Sequence, residues 1–135
     1  MLKRFTQLGK RFLGLSSDMK APAVIEAEFL LKYKDITVGT LRLHDGKWFF
    51  TYSDEFRHQD ELRPIVEFPD VYKPYRSESL WPFFQMRIPS PKQSSVQRVI
   101  SDEQIQHDDE VKLLSRFGRL TIANPYELIP TRLTT

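Results

Sequence analysis

The 135 residues predict an α+β fold: a small curved antiparallel sheet or partly closed barrel carrying a few short helices. Three observations carry this. Aromatic and β-branched residues are dense from Ile25 to Ser53, an Asp45-Gly46 pair sits between two apolar runs, and three later stretches place apolar residues at helical spacing behind helix-start residues. Helices laid on one face of a curved antiparallel sheet are the economical way to bury both apolar faces.

The first strand is read in IEAEFLLKYK, where Phe29, Leu31 and Tyr33 alternate onto one face, and the second in ITVGTLRLH, where Gly39 marks a bulge or a close backbone approach. Asp45-Gly46 predicts a type I′ hairpin, whose two central residues need positive φ, and the aromatic run KWFFTYS completes a three-stranded meander. Asp54-Glu55-Phe56 begins a short helical turn. Pro64, Pro69 and Pro74 then exclude regular structure from a long connection, read as an ordered loop over the sheet pinned by Phe68, Tyr72 and Tyr75. Ser79 is expected to cap a helix from Leu80 to about Arg87 with Pro82 in its first turn, and Ser90-Pro91 to open a second with Val96, Val99 and Ile100 inward. A third starts at Asp108 or Asp109, turns Val111, Leu114 and Phe117 inward, carries Arg116 in its last turn and ends at Gly118. A short strand or extended segment is expected around Leu120 to Ile122, before an Asn124-Pro125 turn.

The chain divides into a basic N-terminal extension, 1–23, and one folded domain, 24–135. Of the formal net charge of +2, the first twenty residues contribute +4, from Lys3, Arg4, Lys10, Arg11 and Lys20 against Asp18, so the remainder stands at −2. The pI of about 8.9 is therefore a property of the tail and is no argument for a nucleic-acid-binding fold. Leu2, Phe5, Leu8 and Phe12 recur at three- and four-residue spacing, which fits a basic amphipathic helix, with Ala21-Pro22-Ala23 as hinge. A transit peptide, a membrane-surface segment and a partner-binding helix all match that pattern. Gly9, Lys10 and Arg11 break any secretory apolar core, and no apolar run approaches the ~20 residues of a membrane span, so the expected location is cytoplasmic. The absence of cysteine excludes disulfides, thiolate metal sites and a cysteine nucleophile.

No catalytic constellation emerges from the spacing. His44, His58 and His107 lack metal-ligand spacing, and Asp108, Asp109 and Glu110 are explained as helix N-terminal charge. The glycines at 9, 14, 39, 46 and 118 build no phosphate-cradling loop, the serines at 77, 79, 90, 94 and 95 have no nucleophile-elbow setting, and kinase signatures are missing. The expectation is a protein without catalytic residues, metal or cofactor.

What rises above background is LWPFFQMRI, in which Leu80, Trp81, Phe83, Phe84, Met86 and Ile88 cover more than one helical face. A small sheet cannot bury all of them, so part of this set is expected to meet a partner, with Trp81 beside the polar run Ser77-Glu78-Ser79 as anchor.

These residues resemble a known family. LLKYKDITVGTLRLHDGKWFFTYSDEF is similar to the opening of HipA-type proteins, and EFPDVYKPYRSESLWPFFQMRIPSPKQSSVQ with LLSRFGRLTIANPYEL resembles short, stand-alone versions of the HipA N-terminal subdomain, over about Ile25 to Ile129. In HipA-like toxins this subdomain precedes a serine/threonine kinase body that this chain lacks. The resemblance therefore implies a HipS-like small component of a split, HipBST-type toxin–antitoxin system. Its implied partner is a separate HipA-like kinase, with a helix-turn-helix antitoxin further out and DNA contacted only through it. It further implies an antitoxin role exercised by docking, through Glu78, Ser79, Leu80, Trp81, Pro82 and Phe84, with Trp81 entering or abutting the kinase active site. A scaffold or folding subunit of the split kinase, or a tether acting through the basic N-terminus, are the alternatives.

Overall fold

The computed structural model describes residues 26–106 and 108–134. The expected amphipathic helix over Leu2 to Phe12, the Ala21-Pro22-Ala23 hinge and His107 lie outside the described residues.

The meander forms as read: β1 (Glu26–Tyr33), β2 (Ile36–His44) and β3 (Lys47–Tyr52) pair antiparallel in succession. The Asp45-Gly46 hairpin takes positive φ at both residues, +52° and +74°, as a type I′ turn requires. The register slips between Leu31 and Lys32 opposite Gly39, where an added Cβ would lie 2.5 Å from the Thr51 carbonyl oxygen and 2.7 Å from the Phe50 ring. Gly39 thus lets β2 approach β3 closely at the irregularity.

Two further strands complete a five-stranded sheet of order β4-β3-β2-β1-β5, with β4 at Tyr75–Ser77 and β5 at Glu127–Thr134. The sheet is open, so the partly closed barrel is not formed. Its apolar face is covered instead by the proline-rich connection and the helices. The strand or extended segment expected around Leu120 to Ile122 is a turn with a single Thr121–Asn124 bridge, and pairing with β1 begins only at Glu127. Pro130 is tolerated in β5 because an edge strand leaves alternate N–H groups without a ladder partner.

Cross-strand rows define the covered face. Pro130, Phe29, Leu41, Phe50 and Tyr75 lie abreast from β5 to β4, and Leu133, Ala27, Leu43, Trp48 and Ser77 form the row beside them. Phe29, Leu31, Leu41, Phe50 and Leu128 are fully buried there. At ~25 cal/mol per Å² of apolar surface, each contributes about 1.5–3 kcal/mol.

Four short helices follow the local rules in part. Ser53 caps α1 (Asp54–Arg57), accepting the Phe56 N–H at 3.0 Å and donating its hydroxyl to the Thr37 carbonyl. α2 (Pro82–Gln85) starts two residues later than expected: Trp81 occupies the cap position with Pro82 at the first helical residue, and Ser79 instead turns its N–H to the Ser77 hydroxyl. α3 (Ser94–Asp102) likewise begins after Gln93, because Ser90 accepts the Lys92 N–H in a local turn rather than capping. α4 (Glu110–Phe117) is capped by Asp109, which accepts the Lys112 N–H at 3.1 Å. It ends at Gly118, where a Cβ would meet the Leu114 carbonyl at 2.6 Å. Val111 and Leu114 face the main core, while Leu113 joins Val96, Ile100 and Ile105 in a smaller cluster.

One buried hydroxyl ties the connection from 58 to 74 to the sheet. Tyr52 donates to the Phe68 carbonyl at 2.6 Å and accepts the Ile65 N–H at 2.9 Å, and burial pushes its phenol up to about 12. Replacing Tyr52 by Phe leaves both backbone groups unmet and is expected to cost about 1–3 kcal/mol in urea unfolding. Because the folded pKa lies above the unfolded value near 10, the neutral phenol's contribution is complete below pH ~10 and lost as pH rises toward ~12. A stability–pH profile of Tyr52→Phe is expected to show a smaller loss over that window than the wild type.

Candidate functional site

The aromatic surplus of LWPFFQMRI is sorted by the start of α2. Leu80 and Phe84 point into the main core and are buried at 2% and 0% exposure, so neither presents surface to a partner in this conformation. Trp81 and Phe83 are half-buried, Pro82 is exposed, and Glu78 and Ser79 lie exposed on the approach from β4. Among the six residues expected at a docking surface, four reach solvent and two form the base beneath them.

Phe68 organises this base. Fully buried, it stacks on Phe50 at 4.6 Å and receives Tyr75 and Trp81 edge-on at 5.0 and 5.1 Å. Phe84 closes the cluster, 5.7 Å from Phe50 and 6.4 Å from Trp81. Edge-to-face pairs of this kind add about 0.5–1.5 kcal/mol each beyond area burial and fix the angle of the ring. The Trp81 indole N–H has no hydrogen-bond partner among the described residues and is not enclosed, since the Arg87 Nε is the buried side-chain nitrogen or oxygen left unpaired there. The ring is therefore clamped on Phe68 while part of it reaches solvent and its donor makes no hydrogen bond to the described residues. Tyr72, expected to pin the loop, is 74% exposed and lies 5.6 Å under the Arg57 guanidinium instead.

Other residues weighed for chemistry have local roles. His44 pairs with Glu26 at 2.8 Å, His58 bonds the Asp54 carbonyl at 2.7 Å, and Asp109 is a helix cap. Among the described residues no group of three or more histidine, aspartate or glutamate side chains could hold a metal ion, and no helix is long and apolar enough to cross a membrane.

A residue that spacing did not single out is Arg87, 3% exposed and held without a carboxylate. Its Nη1 donates to the Gly118 and Arg119 carbonyls at 3.0 and 3.2 Å, and its Nη2 to the Asn124 Oδ1 and the Tyr126 carbonyl at 3.0 and 2.9 Å. Burial pushes the guanidinium down to about 10, still cationic at neutral pH. It fastens the end of α2 to the end of α4 and to the turn leading into β5, and so fixes the base on which Trp81 stands.

The model of the family described as HipA N-terminal domain matches residues 30–122, more than half of the chain. This chain belongs to the HipA N-terminal domain family. A solved structure, the N-terminal domain of HipA toxin, is similar at 19% identity and a TM-score of 0.48, covering 84% of this chain and 98% of that one. No curated protein matches. The HipA N-terminal domain relationship places the chain in a toxin–antitoxin context, and the matched residues include the whole Trp81 site.

Two substitutions test the construction. Phe68→Ala is expected to cost about 3–5 kcal/mol, as for other buried phenylalanines, and to red-shift Trp81 emission as the ring loses its clamp. Arg87→Lys keeps the charge but cannot span four acceptors, and a loss of about 1–3 kcal/mol is expected in the same unfolding assay.

Proposed function

We propose that this HipA N-terminal domain protein is an antitoxin-like binding protein that docks on a separate HipA-like serine/threonine kinase and restrains it. It contributes no catalysis of its own. The observation that carries this reading is Trp81: a large, half-buried ring held by Phe68, with an indole donor that makes no hydrogen bond to the described residues and exposed Glu78, Ser79 and Pro82 beside it in sequence. Such an anchor has the profile of a binding hot spot, because a pre-oriented aromatic loses little entropy on entering a pocket. Family membership supports a HipA-family partner, since a member of the HipA N-terminal domain family is expected to keep the surface that meets the rest of a HipA protein. Leu80 and Phe84 act by supporting the anchor, and inhibition is steric, by occupation of or beside the kinase active site. The complex is cytoplasmic, and any DNA contact runs through a helix-turn-helix third component.

The test is autophosphorylation and substrate labelling by a separate HipA-like kinase, with the wild type and with Trp81→Ala and Trp81→Phe. The wild type is expected to suppress labelling. Trp81→Ala is expected to weaken binding by about 2 kcal/mol or more, roughly thirtyfold in Kd, and to relieve suppression, with Trp81→Phe intermediate. Stimulation of the kinase, or tight binding without effect, contradicts the antitoxin role and favours a scaffold subunit.

A further inference from the structure

A second surface lies at the end of the sheet where the chain enters it. A groove of about 500 Å³ runs between the Asp45-Gly46 hairpin and the start of α4. Its floor is apolar, formed by Leu43, Trp48 and Val111, and its rim is acidic, formed by Glu78, Asp108, Asp109 and Glu110, with no lysine or arginine among its described lining residues. Capping and the helix dipole account for Asp109 and Glu110 at the first turn of α4. They do not account for Glu78, which arrives from β4, nor for the apolar floor between the carboxylates.

The chain itself contains a segment complementary to this groove. Residues 1–12 carry Lys3, Arg4, Lys10 and Arg11 and no acidic residue, interleaved with Leu2, Phe5, Leu8 and Phe12. The sheet sets the point of departure: Ala27, the second residue of β1, pairs with Leu43, which lines the groove, and Leu43 pairs in turn with Trp48 of the floor. Residues preceding Glu26 therefore leave β1 at the groove end of the strands. Thirteen residues, 13–25, separate the basic segment from β1, a reach of up to roughly 45 Å at ~3.5 Å per residue, ample for a return onto the neighbouring strands. A tether of this length presents the segment at roughly millimolar effective concentration, enough for a weak charge-matched contact to be populated.

We infer that the basic N-terminal segment, 1–12, docks intramolecularly in the acidic-rimmed groove, its apolar residues over Leu43, Trp48 and Val111 and its lysines and arginines against Glu78 and Asp108. This contact shares Glu78 with the Trp81 surface but needs no second protein. Much of the attraction is between partly exposed charges, so it weakens as added salt shortens the screening length from about 10 Å at 0.1 M to about 3 Å at 1 M.

The full-length chain, which has no native cysteine, can be labelled with a nitroxide at Gln7→Cys. At low salt the Trp48 indole and Val111 methyl resonances are expected to lose several-fold more intensity than Ile36, about 23 Å from Leu43 along β2 at ~3.3 Å per residue. Combining Lys3→Glu, Arg4→Glu, Lys10→Glu and Arg11→Glu is expected to abolish that selectivity, and adding Glu78→Lys with Asp108→Lys to restore it. Uniform broadening of all three probes overturns the proposal, as does selective broadening indifferent to the charge reversals. Broadening seen only between a labelled chain and a separate isotope-enriched chain assigns the groove to a second copy and overturns it equally.

Discussion

The arrangement of this domain depends on burying one loop phenylalanine. Phe68 belongs to a connection rich in proline, which cannot satisfy itself by regular hydrogen bonding, yet its ring stacks on Phe50 at the centre of the sheet and meets Tyr75, Trp81 and Phe84. Its carbonyl is held by Tyr52 from the same strand as Phe50. Sheet, loop and α2 are thereby joined at one point, and the open sheet gains the cover that closure into a barrel would otherwise have supplied. A loop carrying prolines has fewer conformations to lose on folding, so this single anchor holds a long connection at modest entropic cost.

The same constraint produces the candidate site. α2 starts only after Trp81 because the residue before a proline is disfavoured in the helical region: Trp81 is extended (φ −67°, ψ 148°), and Pro82 takes the first helical position that suits it. That start directs Leu80 and Phe84 inward and leaves Trp81 at the boundary, with its edge fixed on Phe68 and part of the ring reaching solvent. Arg87 then locks the other end of α2 to the α4 terminus and the turn before β5. The guanidinium reaches four acceptors at this junction through its two Nη groups, and a planar fork of directed donors suits that task better than a lysine ammonium. In the proposed function, membership in the HipA N-terminal domain family suggests the class of partner for this surface, and Trp81 is its proposed contact residue.

Much of the fold was legible in local pattern. The meander followed from period-two alternation and the Asp-Gly hairpin, α4 from an acidic cap and a terminal glycine, and the close approach at Gly39 from an isolated glycine within a strand. The edge strands were less so. β4 is three residues of Tyr-Arg-Ser inside the proline-rich connection, and β5 contains Pro130, so both exist because a neighbouring strand offers a ladder rather than because their own residues prefer one. Ser79 and Ser90 are suited to capping by composition but bond locally, a choice decided by backbone geometry. Trp81 stood out because too many large apolar residues crowded one short segment. Arg87 did not, since its acceptors lie 31 to 39 residues away and a lone arginine has no spacing signature.

The central claim is that Trp81 is the residue the partner covers. Hydroxyl-radical footprinting of the wild-type chain, free and bound to the HipA-like kinase, addresses it without substitution, and Trp48, 3% exposed in the core, serves as internal reference. The account predicts that Trp81 oxidises readily in the free chain and is strongly protected in the complex, while Trp48 is slow in both. Formation of the complex with Trp81 oxidation unchanged would contradict it.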